Sequence, residues 1–331
     1  MRSRTLALSA LVALGGAVVM SAPQQAGRRG GATGPPPAVE IRHVAPAKQY
    51  VVNILGKHFT NYAYGEAFWH KPAFYPVLSP NGVRVNREYP MVAGIPGETA
   101  DHPHHTSLSF TYDETNGNNF WAATGGKGPR IEQTAARIEG STLISDLLWK
   151  GGDGQVVFEE TKRVTFGGDA TMYWMDHDIT LHAPRVAVKM GDTKEGAFAF
   201  RVNDMLREQK SGGTGLYVNA SGAETETNVW GKTSPWMALR GTITDAGGPK
   251  DVTVAIYAHP KGHNSPPYWH ARGYGLFAVN PFGRRGYDPK APERVTEVAV
   301  GQRLNMRFRV AVYAGKVDKA RLDQDYTAFS Q

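Results

Sequence analysis

The stretch Arg303-Leu304-Asn305-Met306-Arg307-Phe308-Arg309-Val310-Ala311-Val312 decides the fold class. Leu304, Met306, Phe308, Val310 and Val312 fall on one parity, while Arg303, Asn305, Arg307 and Arg309 fall on the other. A two-residue period of this kind belongs to a strand with one face in a core and one in water. Val252, Val254 and Ile256 repeat the pattern, as do Tyr173, Met175, His177, Ile179 and Leu181. Between such stretches stand turn clusters: Ser79-Pro80-Asn81-Gly82, Gly151-Gly152-Asp153-Gly154 and Gly167-Gly168-Asp169. Many strands without a strand-helix-strand rhythm predict an all-β protein, a large antiparallel sandwich or barrel whose two sheets share one core. One helix is expected, at the C-terminal end over Val317 to Phe329, where Val317, Ala320, Leu322, Tyr326 and Phe329 form one stripe.

Working back toward the N-terminus, no repeat and no shift of composition interrupts the chain after Val39, so residues 39–331 are expected to form a single domain. Residues 23–38 are Pro, Gly and Gln with nothing to bury and predict a disordered lead-in. Residues 1–22 have the layout of a secretory signal: Arg2 and Arg4, an apolar run from Leu6 to Met20, then Ser21 and Ala22 before Pro23. The run contains Gly15 and Gly16 and falls short of the roughly 20 residues of a spanning helix. Cleavage and a soluble mature protein in the periplasm or outside the cell are therefore expected, with no membrane span.

The formal charge of +7 falls to +5 once Arg2 and Arg4 leave with the signal, and to +3 without Arg28 and Arg29. The remaining body is close to balanced and lacks a basic run interleaved with aromatics, which argues against a nucleic-acid partner. There is no cysteine, so disulfides, thiolate nucleophiles and thiolate metal sites are excluded. A body of this length can bury a sufficient core without staples.

Three constellations could carry chemistry. The densest is Asp101-His102-Pro103-His104-His105, followed by the alternating Leu108, Phe110 and Tyr112 and then by Asn116-Gly117-Asn118-Asn119-Phe120-Trp121. If the strand extends back through the histidines, parity puts His105 on the polar face and His104 on the apolar one, making His105 the ligand-facing base. Three readings stay open for the cluster. It could be a metal site of His and carboxylate ligands, a catalytic or sugar-contacting group without metal, or a structural strand entrance where Asp101 orients a ring. The second constellation is Asp192-Thr193-Lys194-Glu195-Gly196, either a Glu195 acid/base held by Lys194 or a solvated loop. The third runs from Tyr268-Trp269-His270 through Arg272, Tyr274 and Phe277 to Asn280-Pro281-Phe282-Gly283. Here His270, Arg272 and Tyr274 share parity beside Trp269. Aromatic faces next to Arg, His and Asn suit a sugar ring, and an aromatic core strand is the competing account. No nucleophile elbow, P-loop or His-Glu-x-x-His pattern is present.

Together with Trp230-Gly231-Lys232, these blocks come in an order that resembles the PmoA-like family, over about Lys57 to Gly315. That family is labelled methane oxygenase, a label at odds with a chain that has no spanning stretch. Its members are exported bacterial proteins, and the resemblance implies a carbohydrate role on a β-sandwich of the galactose mutarotase type. After the histidines the family pattern resembles Arg-Gly-Leu-Trp-Phe, whereas this chain has Thr106-Ser107-Leu108-Ser109-Phe110.

The expectation is an exported carbohydrate-active enzyme with His105 and Glu195 as its acid/base pair. His102, His104, Lys194, His270, Arg272 and Asn280 would bind the ligand's polar groups, with Trp121 or Trp269 stacking on its ring. No metal and no cofactor are called for. The alternatives are a non-catalytic glycan-binding sandwich and a His-ligated metalloenzyme.

Overall fold

Residues 38–65, 70–124 and 126–331 are described by a computed structural model, so the predicted signal and almost all of the predicted lead-in lie outside the described residues. Among the described residues the strands form two eight-stranded antiparallel sheets and a two-stranded ribbon, Val188–Met190 with Thr296–Val298. The first sheet begins at Val39–Val44, passes through Leu108–Tyr112 and Gly196–Arg201, and ends on Leu276–Asn280 and Tyr268–Arg272. In the second, Arg303–Tyr313 lies between Gly248–Ala258 and Met172–His182. Their inner faces share one apolar core, with Phe110 and Phe198 from the first sheet and Met175, Val254 and Phe308 from the second. This is the predicted all-β sandwich.

The deciding stretch behaves as its alternation requires. Met306, Phe308, Val310 and Val312 are buried in the shared core, while Arg307 and Arg309 stay partly exposed. Toward its end Ala311 and Tyr313 are buried as well, because the C-terminal helix covers that outer face with Leu322 and Phe329. The helix runs Lys319–Ser330, and the Asp318 side chain caps it by accepting from the Arg321 N–H at 2.9 Å. At Gly167 a Cβ would lie 2.2 Å from the Trp174 ring, so only glycine lets that ring cross the strand.

The core is not wholly apolar. Glu160 and Lys162, both buried, form an ion pair at 3.0 Å, and the other Glu160 oxygen accepts the Trp149 indole N–H at 2.7 Å. Breaking such a pair from one side leaves an uncompensated buried charge. Lys162→Met is expected to lower stability in urea denaturation by about 3–5 kcal/mol, and adding Glu160→Gln, which still accepts from Trp149, should restore most of the loss. Equal stability of the single and double variants would show the pair to be energetically idle.

Candidate functional site

Pairing across the first sheet puts Ser109, Ala199, Ala278 and His270 side by side in one row on its outer face. Three small side chains in succession leave a depression, and the Trp121 ring packs into it against Ala199, Leu276 and Ala278. Above this floor lies a cavity of about 420 Å³, within the range of small-molecule sites. Its lining brings together His102, His104, His105, Trp121, Lys194, Glu195, His270 and Arg272, with Asn119, Ala122 and Tyr274 added.

The histidines stand there for a reason other than strand parity. The strand begins only at Leu108, and both of its faces are buried. Residues 102–107 form successive tight turns, with His105 N–H on the His102 carbonyl at 3.0 Å and Ser107 N–H on the His105 carbonyl at 3.2 Å. His102 and Ser107 take left-handed backbone conformations, φ 45° and 52°, which break the alternation. The expected order is therefore reversed: His105 is 6% exposed and His104 is the more open ring.

Two buried guanidinium groups hold this turn. Arg87 donates to the Asp101 carboxylate, to the Asp101 carbonyl at 2.8 Å and to the His102 carbonyl at 3.3 Å. Arg201 donates to the same carboxylate at 2.8 Å and to His105 Nδ1 at 3.4 Å. Asp101 reaches His102 Nδ1 at 3.2 Å. Burial works against the Asp101 charge, but Arg201 and Arg87 outweigh it and hold the carboxyl below its ordinary range. Arg201 is itself brought down to about 10, first by burial and then by Arg87.

These contacts fix proton positions. An arginine can only donate, so His105 Nδ1 accepts and its proton sits on Nε2. In this tautomer His105 Nε2 is a hydrogen-bond donor, whereas a base would need it as an acceptor. The Lys194 carbonyl can only accept, so His270 Nδ1, 2.9 Å away, carries the proton and Nε2 is left as an acceptor. Burial pushes His104 and His270 down to about 4 and His105 well below the ordinary value, with Lys71 and Arg201 adding to the effect on His105. Lys71 is buried behind the site, donates to the Trp121 carbonyl at 2.8 Å, and is itself brought to about 7 by desolvation.

The second constellation is an ordered loop. Asp192 accepts the backbone N–H groups of Arg284 at 2.6 Å, Arg285 at 2.9 Å and Arg294 at 2.7 Å. The Lys194 carbonyl takes His270 and the Tyr287 hydroxyl, the latter at 3.0 Å. Glu195 is left at the cavity, partly exposed and paired with Lys194 at 3.1 Å.

The third constellation is a hairpin, not one strand. Tyr268–Arg272 turns into Leu276–Asn280 through Gly273, Tyr274 and Gly275, where Gly275 has φ 102°. His270 and Arg272 share the outer face as predicted, and Tyr274 reaches the cavity from the turn. Two expected ligand contacts are corrected. Trp269 is 0% exposed, points into the shared core and donates to the Ser234 carbonyl at 2.9 Å. Asn280 is fully buried and spends its side chain on the Thr193 carbonyl and on the N–H groups of Phe282 and Gly283. Trp121 lines the cavity but is only 4% exposed, packed edge to face with His105, so it offers no open stacking face.

His102 and His105 stack at 4.8 Å with their planes 6° apart. In-plane lone pairs of parallel rings cannot converge on one ion about 2.1 Å from each. Among the described residues no group of three His, Asp or Glu is arranged to hold a metal.

A family model described as a family of unknown function, DUF6807, matches residues 49–327. That match corrects the PmoA-like resemblance, and the methane-oxygenase label goes with it. No curated protein matches the chain. Among solved structures the chain is similar to an alpha-galactosidase from Geobacillus stearothermophilus, with TM-score 0.44, 8% identity and coverage of 84% of this chain and 41% of that one. It spans about two fifths of that enzyme's length. A putative aldose 1-epimerase from Escherichia coli K12 gives TM-score 0.33 and 8% identity over 83% of this chain and 99% of that one. A galactose mutarotase related enzyme from Lactobacillus acidophilus gives 0.29 and 8% over 84% and 98%.

The depressed imidazoles set a pH dependence. Free histidine protonates near 6.5, but His270 in the folded protein does so only near 4. Between those values the unfolded chain binds more protons, so stability falls as pH drops from about 6.5 to about 4, by up to ~1.4 kcal/mol per pH unit for each such group. His270→Asn keeps an N–H for the Lys194 carbonyl and removes the titration. Urea denaturation across this window should show a shallower decline in the variant, and identical slopes would refute the assignment.

Proposed function

The chain belongs to the DUF6807 family of unknown function, and from the geometry of its cavity we propose that it is an exported carbohydrate-active enzyme that performs acid-base chemistry on a sugar. The observation that carries this reading is one pairing: Glu195, an acceptor, and His105 Nε2–H, a donor with its tautomer set by Arg201, line the same cavity. Glu195 removes a proton from the sugar, while the neutral His105 N–H polarises the oxygen on which negative charge develops. Because His105 resists protonation, it stays a neutral donor throughout the physiological range. His270 Nε2 accepts from a sugar hydroxyl, a group that brings both a donor and an acceptor.

The site supports an enzyme over a passive glycan binder, because among the described residues the cavity has no open aromatic platform. Trp121 is buried, Trp269 is in the core, and the Tyr274 ring already carries His102 at 5.1 Å and the Arg201 guanidinium at 4.9 Å. Recognition then rests on directional polar groups, the same ones that chemistry needs. Export rests on the layout of residues 1–22, and N-terminal sequencing of protein recovered outside the cytoplasm should find the chain beginning near Pro23.

Glu195→Gln separates enzyme from binder. Anomer exchange, epimerisation, elimination and hydrolysis can all be followed by NMR on a panel of sugars. Turnover should fall by about 10²–10⁴-fold while sugar affinity changes little. Turnover that survives the substitution would remove Glu195 from the mechanism.

A further inference from the structure

The cavity lining carries donors held in fixed positions. His105 presents Nε2–H because Arg201 takes its other nitrogen. Arg272 Nε lies 2.7 Å from a Glu226 oxygen but is not aligned for a hydrogen bond, and the terminal guanidinium nitrogens have no hydrogen-bond partner among the described residues. Lys210 at 2.8 Å and the Gly273 N–H at 2.9 Å both lie on the other Glu226 oxygen, so Glu226 is also the ion-pair partner of Arg272. The Arg272 guanidinium is flanked by the rings of Trp230 and Tyr274, at 5.9 Å and 5.6 Å. The Glu195 carboxylate, shared with Lys194, and His270 Nε2 are acceptors on the same lining.

A donor covered by a ligand and left unmade costs about 1–3 kcal/mol, so a ligand that covers the Arg272 guanidinium brings an acceptor for it. A sugar hydroxyl can accept there through a lone pair, but it brings no charge and must also place its own O–H. A carboxylate accepts only, and its two oxygens match the fork of a guanidinium.

We propose that the sugar taken by this cavity is an acidic one, a uronic or aldonic acid whose carboxylate is received by the Arg272 guanidinium. This rests on the carbohydrate reading and adds the class of sugar. Arg272 stands at the end of an outer strand next to a turn and is partly exposed, so replacing it leaves the core untouched.

Calorimetric titration of the intact protein with galacturonate, glucuronate, galactose, glucose and galactose 6-sulfate tests the proposal. The uronates should bind at least about tenfold more tightly than their neutral parents, the worth of one charge-assisted pair, and this gap should shrink in high salt. Arg272→Gln should reduce the gap to within about twofold, and Arg272→Lys should restore part of it. Neutral sugars binding as well as uronates would overturn the acidic-sugar inference and leave the carbohydrate reading standing. Tighter binding of the sulfate ester than of galacturonate would overturn the carboxylate. Silence from all five sugars would overturn the carbohydrate reading itself.

Discussion

The geometry of the cavity depends on one buried electrostatic contact, the Asp101 carboxylate shared by Arg87 and Arg201. Two guanidinium groups this deeply buried are costly unless paired and fully bonded. Asp101 supplies the counter-charge, and Thr99, itself bonded to Asp204 at 2.6 Å, supplies further oxygens. The pairing also sets direction. Arg201 is in phase with Ala197 and Ala199 on the outer face of its strand, so sheet register places its side chain. Arg201 in turn places Asp101, and Asp101 with Arg87 closes the turn that carries three histidines. A contact between distant parts of the chain thus fixes a local loop that its own sequence leaves free.

The same contact governs proton positions. Arg201 keeps the proton of His105 on Nε2, and its charge, with burial and Lys71, keeps that ring neutral. His270 is fixed in the opposite tautomer by a backbone carbonyl. Two neutral imidazoles on one cavity therefore present opposite polarities, one a donor and one an acceptor, without either changing charge near neutral pH. A site built this way discriminates by the direction of its hydrogen bonds.

The repeating parts of the structure were legible in the sequence. Period-two alternation located the long strands, and the spacing from Val317 to Phe329 located the final helix, because in both cases burial on one face is a local property of the residue order. The gathering of three separated segments around one cavity was suggested by their chemistry, but the roles of single residues were not. Parity failed at His105 because His102 and Ser107 leave the strand conformation, and at Tyr274 because the glycines beside it turn the chain. Trp269 was misread because an indole can serve a core or a platform equally well, and only sheet pairing decides which face it takes. Arg87 and Lys71 were missed altogether, since a single cation among ordinary residues carries no periodic signal. Arg201 did have one, a charge at the end of Ala197-Phe198-Ala199-Phe200 in phase with the alanines.

The alanine and serine floor explains why the cavity is polar without being flat. Ser109, Ala199 and Ala278 are each too small to reach across the row, so the Trp121 ring packs against the alanines, is lost as a stacking surface, and keeps its indole N–H buried without a partner among the described residues. A larger residue at any of the three positions would lift that ring, opening an aromatic face and moving the unpaired donor. The size of the floor residues therefore decides whether this outer face presents an aromatic face or hydrogen-bonding groups, and here small residues choose the second.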